Sequence, residues 1–218
     1  PPSQDFGATR RVLLIVLIVS IIVPVACFVG YCYRDYVFRK ADANDVIMRL
    51  ARVAQEHALK VMDLNNDMTA RVMELLGQND AAQIRKAQQD LHRRLAFIGG
   101  GYPQVAGVAV FGTGGELLAS SRYFPVPEVS IAHREDFGAA QASWPASYIS
   151  LPMHARVSGR PVFNTTTSRF DLNGRFLGVV TVALRRDYFG RFYNELAGKD
   201  LPLSVGLYRR DGTPLVAV

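Results

Sequence analysis

The sequence predicts an α+β protein: a transmembrane helix, a long amphipathic helix, then an antiparallel sheet with flanking helices. Three observations predict it. Residues 12–33 form an unbroken uncharged run, about the twenty residues needed to cross a bilayer's hydrocarbon core. Over 36–76 apolar residues recur in steps of three and four, at Ile47, Leu50, Ala54, His57, Val61, Leu64, Met68, Val72 and Leu75, which is the helical period. After Pro103 the period becomes that of strands, punctuated by short glycine-containing turns.

The apolar run sits near the start of the chain, so the residues after it form a body displayed on one side of the membrane. Arg10 and Arg11 precede the run and Arg34, Arg39 and Lys40 come after it, so basic residues alone leave its orientation open. A short basic N-terminus before an apolar run is the layout of an uncleaved signal anchor, which keeps residues 1–11 in the cytoplasm and exports the body. The only cysteines, Cys27 and Cys32, lie in or beside the run, which suits an oxidising compartment. Two other readings remain open. A cleaved signal peptide has a shorter apolar region than one continuing through Phe28, Val29, Tyr31 and Tyr33, and a lipid-anchor signal carries an apolar residue where Pro24 precedes Cys27. Pro24 is tolerable within a span, and Tyr31 and Tyr33 fit an interfacial aromatic belt.

Beyond the span the chain has the length and composition of one globular core. The net charge of +6 comes largely from scattered arginines, which gives nucleic-acid binding little support. The chain begins at Pro1 without methionine and stops within an apolar, strand-like run at Val218, so it reads as a piece of something longer.

No proline interrupts the long helix after the span, and Gly77 and Asn79 stop it. A second helix is expected over about 80–98, with Ile84, Ala87, Leu91 and Leu95 on one face and Gly99 to Gly101 ending it. Residues 105–111 and 116–121 flank a glycine-rich turn as a hairpin. An irregular stretch over 122–160 comes next, long enough to predict a loop-and-short-helix excursion. Residues 161–169 and 176–184 make a second hairpin around Asn173 and Gly174. Residues 186–197 form a helix, with Tyr188, Phe189, Phe192 and Tyr193 packed inward. A pattern also repeats about a hundred residues on: Val108 to Phe111, Gly114, Gly115 and Leu118 are echoed by Val205 to Tyr208, Asp211, Gly212 and Leu215. It is either a true repeat, with a second domain opening near Leu201, or the likeness any two hairpins share.

Four segments carry a resemblance: 107–121; His133, Arg134, Glu135, Asp136 and Phe137; 148–159; and Ser168 and Arg169 through Phe176, Gly178, Val179 and Val180 to Tyr188 and Phe189. In order and spacing they resemble the first half of the double Cache (PDC, PAS-like) sensor domain of bacterial diguanylate cyclases and histidine kinases. The resemblance implies a PAS-like sheet with flanking helices. It divides the chain into a cytoplasmic tip at 1–11, a transmembrane helix at 12–33 and a signalling helix at 34–78. A membrane-distal sensor domain at 79–200 and the truncated start of a second at 201–218 complete the division. It also implies an inner-membrane protein, periplasmic sensing and a homodimer. His133 stands where the family carries an acidic residue, and Asp136 where it carries Tyr or His.

Arg134 and Arg169 are the first ligand-binding candidates, because a guanidinium fork grips a carboxylate or phosphate with two prongs. Internal ion pairs with Glu135, Asp136 or Asp171 are the alternative. Asp136 and Phe137 share the Arg134 segment. Tyr123, Trp144 and Tyr148 lie in the excursion that would lid a pocket, with core packing the competing use. His57 lies on the apolar stripe as a core or dimer-seam residue, with pH sensing the minor option. His92, His133 and His154 lack metal-ligand spacing. Gly114, Gly115 and Glu116 are followed by Leu117 and Leu118 and make a turn, not a cyclase site. Asn164, Thr165 and Thr166 match a glycosylation sequon that means little in a bacterial protein. With no nucleophile and base pair or phosphate-cradling loop, these residues read as non-catalytic, and no cofactor is called for.

The resulting expectation is a ligand-sensing region of a bacterial transmembrane receptor. Its partners are the lipid bilayer and a small-molecule ligand, with an anion among the options. The resemblance favours a diguanylate cyclase as output; a histidine kinase or chemoreceptor is the alternative, as is a membrane-anchored binding or assembly protein with no output enzyme.

Overall fold

The computed structural model describes residues 6–142, 147–156, 158–198 and 203–218. The chain divides into two compact units, residues 1–51 and 52–218. Helix α1, Phe6–Leu76, includes one apolar window long enough to cross a membrane. Its side chains from Val12 to Phe38 are largely exposed, as a helix must leave them when lipid is its solvent.

In the second unit α1 (to Leu76) is followed by α2 (Ala81–Lys86) and α3 (Gln88–Gly100). Strands β1 (Val105–Phe111) and β2 (Leu117–Ser120) come next, then α4 (Glu135–Ala142) and the short β3 (Tyr148–Ile149) and β4 (Met153–His154). The long strands β5 (Pro161–Phe170) and β6 (Phe176–Arg185), helix α5 (Arg186–Ala197), and strands β7 (Gly206–Tyr208) and β8 (Pro214–Ala217) complete it. The antiparallel sheet runs β2-β1-β6-β5, and β3 and β4 both pair along the outer edge of β5. Strands β7 and β8 form a separate two-stranded ribbon.

Strand alternation gives the sheet two working faces. Val108 and Val110 of β1, Val180, Val182 and Leu184 of β6 and Phe163 of β5 join the main core. There they meet Val61, Met68 and Val72 of α1, Ile84 of α2, Leu91 and Leu95 of α3, and Phe189 and Tyr193 of α5. The opposite face carries a smaller cluster under the excursion: Phe111, Ile131, Phe137, Ala140 and Val179. Two polar residues extend the buried stripe of α1. Asn65 Oδ1 accepts a hydrogen bond from Thr165 of β5 at 2.9 Å, and Thr69 donates to the Asn65 carbonyl.

Both hairpins, the excursion and α5 match the expectations. The single second helix does not: it is divided at Ala87 into α2 and α3. Asp80 caps α2 in a reciprocal box with Gln83, whose side chain answers the Asp80 N–H. The Gln88 amide just beyond the break donates to the Leu118 carbonyl and accepts from Val126 N–H. The division thus keeps Ile84 on the core while Gln88 ties α3 to β2 and the loop after it.

His57 lies against α5, its ring stacked on Phe192 at 3.7 Å between centroids and its Nε2 3.3 Å from the Tyr188 hydroxyl. Its Nδ1 is buried without a partner. Burial, followed by the nearby Lys60 charge, lowers its pKa below the ordinary 6.5. The neutral ring is therefore the form that folding favours. Its contribution is fully present above pH 6.5 and is lost as pH falls from there through the lowered folded value. The thermal midpoint is expected to drop between pH 7.5 and 5 more steeply in the natural chain than in His57→Phe; equal slopes would remove His57 from the pH response.

Candidate functional site

Between the second face of the sheet and the excursion lies a cavity of about 130 Å³. Its floor is Ala106 to Ala109 and Phe111 of β1, Val162 and Asn164 of β5, and Thr181 and Ala183 of β6. Its roof comes from the excursion, through Tyr123, Val129, Ile131, Met153 and three arginines: Arg122, Arg134 and Arg156. Small residues on the central strands make this room, since Gly107, Ala109 and Ala183 stand where larger side chains would fill it.

The arginines are pre-oriented. Arg122 Nε donates to the Ala106 carbonyl at 2.6 Å, and Arg156 Nη1 donates to the Ser130 carbonyl at 3.1 Å. Arg134 grips Asp136 with two nitrogens, Nε to Oδ1 at 2.9 Å and Nη2 to Oδ2. Asp136 is buried at the N-terminal turn of α4, where it also accepts from Asn164 Nδ2 at 3.3 Å and Thr166 Oγ1 at 3.1 Å. Its carboxylate is thus satisfied from three sides. Three guanidiniums line the cavity and one of them is paired from behind by the Asp136 carboxylate, leaving an excess of positive charge over a mostly apolar lining.

The structure separates the predicted residues. Arg134 and Tyr123 line the cavity, and Asp136 supports it from behind through Arg134 and Asn164. Phe137 packs in the smaller core cluster instead. Tyr148 points to another group: its hydroxyl donates to Glu135 and accepts from Arg209 Nη2 at 2.8 Å. The Glu135 carboxylate, taking that hydrogen bond, raises the Tyr148 pKa above the ordinary 10. Trp144 lies outside the described residues. Arg169 does not line this cavity: at an odd position of β5 it leaves on the helix face, opposite Val162 and Asn164. There its Nη2 donates to the carbonyls of Asn79 at 2.9 Å and Gly77 at 3.4 Å, just past the end of α1. Among the described residues it pairs with no carboxylate, and burial lowers its pKa.

Sequence reasoning did not single out Arg122 or Arg156, and it met Thr166 only as part of the sequon. Arginines in irregular segments carry no periodic signal. The Asn164 sequon was visible, but Asn164 is buried with its amide on Asp136, which closes it to glycosylation. Among the described residues no group of His, Cys, Asp and Glu could hold a metal.

No family model matches the chain, and no curated protein matches it. Solved structures do. The extracellular domain assigned to histidine kinase rpHK1S-Z16 matches with a TM-score of 0.58 and 26% identity, over 74% of this chain and 63% of that one. This chain thus spans less than two thirds of that domain. The ligand-binding domain of the Campylobacter jejuni chemoreceptor Tlp3, solved with L-valine, matches at 0.58 and 12% identity, over 77% of this chain and 68% of that one. An extracellular ligand-binding receptor from Desulfohalobium retbaense matches at 0.59 and 20%, over 78% of this chain and 30% of that one. The fold is that of extracellular sensor domains. The matched parts of these neighbours are extracellular or ligand-binding domains, not catalytic ones.

Proposed function

We propose that residues 52–218 are the extracytoplasmic ligand-sensing region of a bacterial signal-transduction receptor, and that the cavity takes a small anionic ligand. The carrying observation is the cavity itself: an apolar pocket between sheet and excursion, with three oriented arginines and one paired carboxylate. A cavity of similar size, about 150 Å³, holds a molecule as large as benzene. A short carboxylate with an apolar tail fits both its volume and its charge. The sensor domains it resembles in fold support the reading.

In this proposal α1 crosses the inner membrane at 12–33, with 1–11 in the cytoplasm and 34–78 as the signalling helix. Residues 79–200 are the membrane-distal sensor domain and 201–218 open a second one. Ligand binding shifts the population of α1 packings in a homodimer. The sequence resemblance assigns a diguanylate cyclase as output beyond residues 1–218. The neighbours' receptors make a histidine kinase or a chemoreceptor the second reading.

Thermal unfolding of the full chain in detergent micelles tests the site, and light scattering on the same sample reads the dimer. Sodium butyrate is expected to raise the midpoint and n-butylamine to leave it unchanged. Arg134→Lys, which keeps a cation for Asp136 but loses the fork, is expected to weaken the butyrate response about tenfold. An undiminished response would remove Arg134 from ligand contact.

A further inference from the structure

Arg209 lies outside the cavity, just past β7 in the turn of the terminal ribbon, yet it reaches the excursion. Its Nη1 is 3.2 Å from Glu135 Oε1, its Nη2 donates to the Tyr148 hydroxyl, and its guanidinium lies 5.2 Å over the Tyr148 ring. Its side chain is only 13% exposed. The ribbon that carries it is anchored independently. Leu215 and Val216 enter the main core, and Arg186 Nε donates to the Leu215 carbonyl at 2.6 Å.

The entry to α4 places Arg134, Glu135 and Asp136 in succession, so the cavity's guanidinium has a carboxylate at each of the next two positions. Asp136 takes Nε and Nη2 of Arg134 and is held there by Asn164 and Thr166. Glu135 is held outward by Arg209 and Tyr148. Nη1 of Arg134 is then the nitrogen that no described residue engages.

We propose that Arg209 is a positioning residue for the cavity: by neutralising and holding Glu135, it leaves Arg134 available to an anionic ligand and couples ligand binding to docking of the terminal ribbon. Without Arg209 the Glu135 charge is uncompensated beside Arg134, where it competes with the ligand's anion. The coupling is reciprocal, so a ligand on Arg134 strengthens the Glu135 and Arg209 contact in turn. Through this contact a second domain built on the ribbon would sense the first site. The inference rests on the proposed anion-binding reading of the cavity.

The experiment is a double-mutant cycle on the full chain in detergent, read by calorimetric titration with sodium butyrate and by amide hydrogen exchange of the unliganded protein. Arg209→Gln is expected to weaken butyrate binding about fivefold and to speed exchange at the start of α4. In the Glu135→Gln background the same change is expected to alter binding less than twofold. Equal losses in both backgrounds would mean that Arg209 acts through general folding, and the proposal falls. No loss in either background also overturns it. If the natural chain binds no butyrate, the anion reading fails on its own, and hydrogen exchange decides the contact: unchanged exchange at α4 in Arg209→Gln removes the coupling.

Discussion

Gly178→Ala is expected to destabilise the second unit by about 4 kcal/mol, combining backbone strain with an overpacking clash. Gly178 has a φ of +111°, which an L side chain rarely adopts, and a Cβ there would lie 2.1 Å from the Phe111 carbonyl oxygen and 2.9 Å from the Gly112 carbonyl carbon. Both obstacles are backbone and cannot rotate away. Relief requires parting β6 from β1 at the Phe111 and Val179 pairing, beside the smaller core cluster that roofs this part of the sheet. Gly174 is the matched control: its φ is +78° but nothing lies within 4 Å of a built Cβ, so Gly174→Ala is expected to cost only about 1 kcal/mol of strain. Chemical denaturation of the two variants checks the difference. Equal losses would mean that β1 and β6 move apart easily at this point.

Asp136→Ala is expected to lower stability by about 3 kcal/mol, the low end for removing one member of a buried ion pair. Asp136 is 1% exposed, while the Arg134 side chain keeps 20% exposure and can partly recover water. The change strips partners from Arg134, Asn164 and Thr166 together, and an unmatched buried donor costs more than its lost bond. Thr166 retains Thr181 at 3.3 Å, whereas the Asn164 amide keeps only the weak Met153 sulfur. For a unit of this size the thermal midpoint is expected to fall by about 9 °C. Asp136→Asn, which still accepts hydrogen bonds, is expected to lose about half as much. A loss below about 1 kcal/mol for the alanine variant would show that the carboxylate does not organise this wall of the cavity.

The two hairpins were legible because period-two alternation and the turn residues around Gly114 and Asn173 agree with each other. The long α1 was legible because its apolar steps are unbroken by proline after Pro24. The break at Ala87 was not, because both halves keep one helical period and the interruption is tied to the Gln88 side chain bridging distant segments. In the site, Arg134 was legible from its segment, and its pairing with Asp136 was already among the alternatives. Arg122 and Arg156 lie where the chain has no period, so their convergence depends on how the excursion folds back.

Arg169 and Arg209 mark the boundary most clearly. The sequence by itself determined the membrane-length apolar run, the helical and strand periods, and therefore an α+β body with a sheet between helices and an excursion. Only the tertiary structure decided where each arginine points and what it contacts. A strand sends alternate side chains to opposite faces, so strand parity turned Arg169 toward the end of α1 and left Asn164 facing the cavity. Arg209 reaches Glu135 across 74 residues of chain, a proximity created by packing the ribbon on the core that no local pattern encodes.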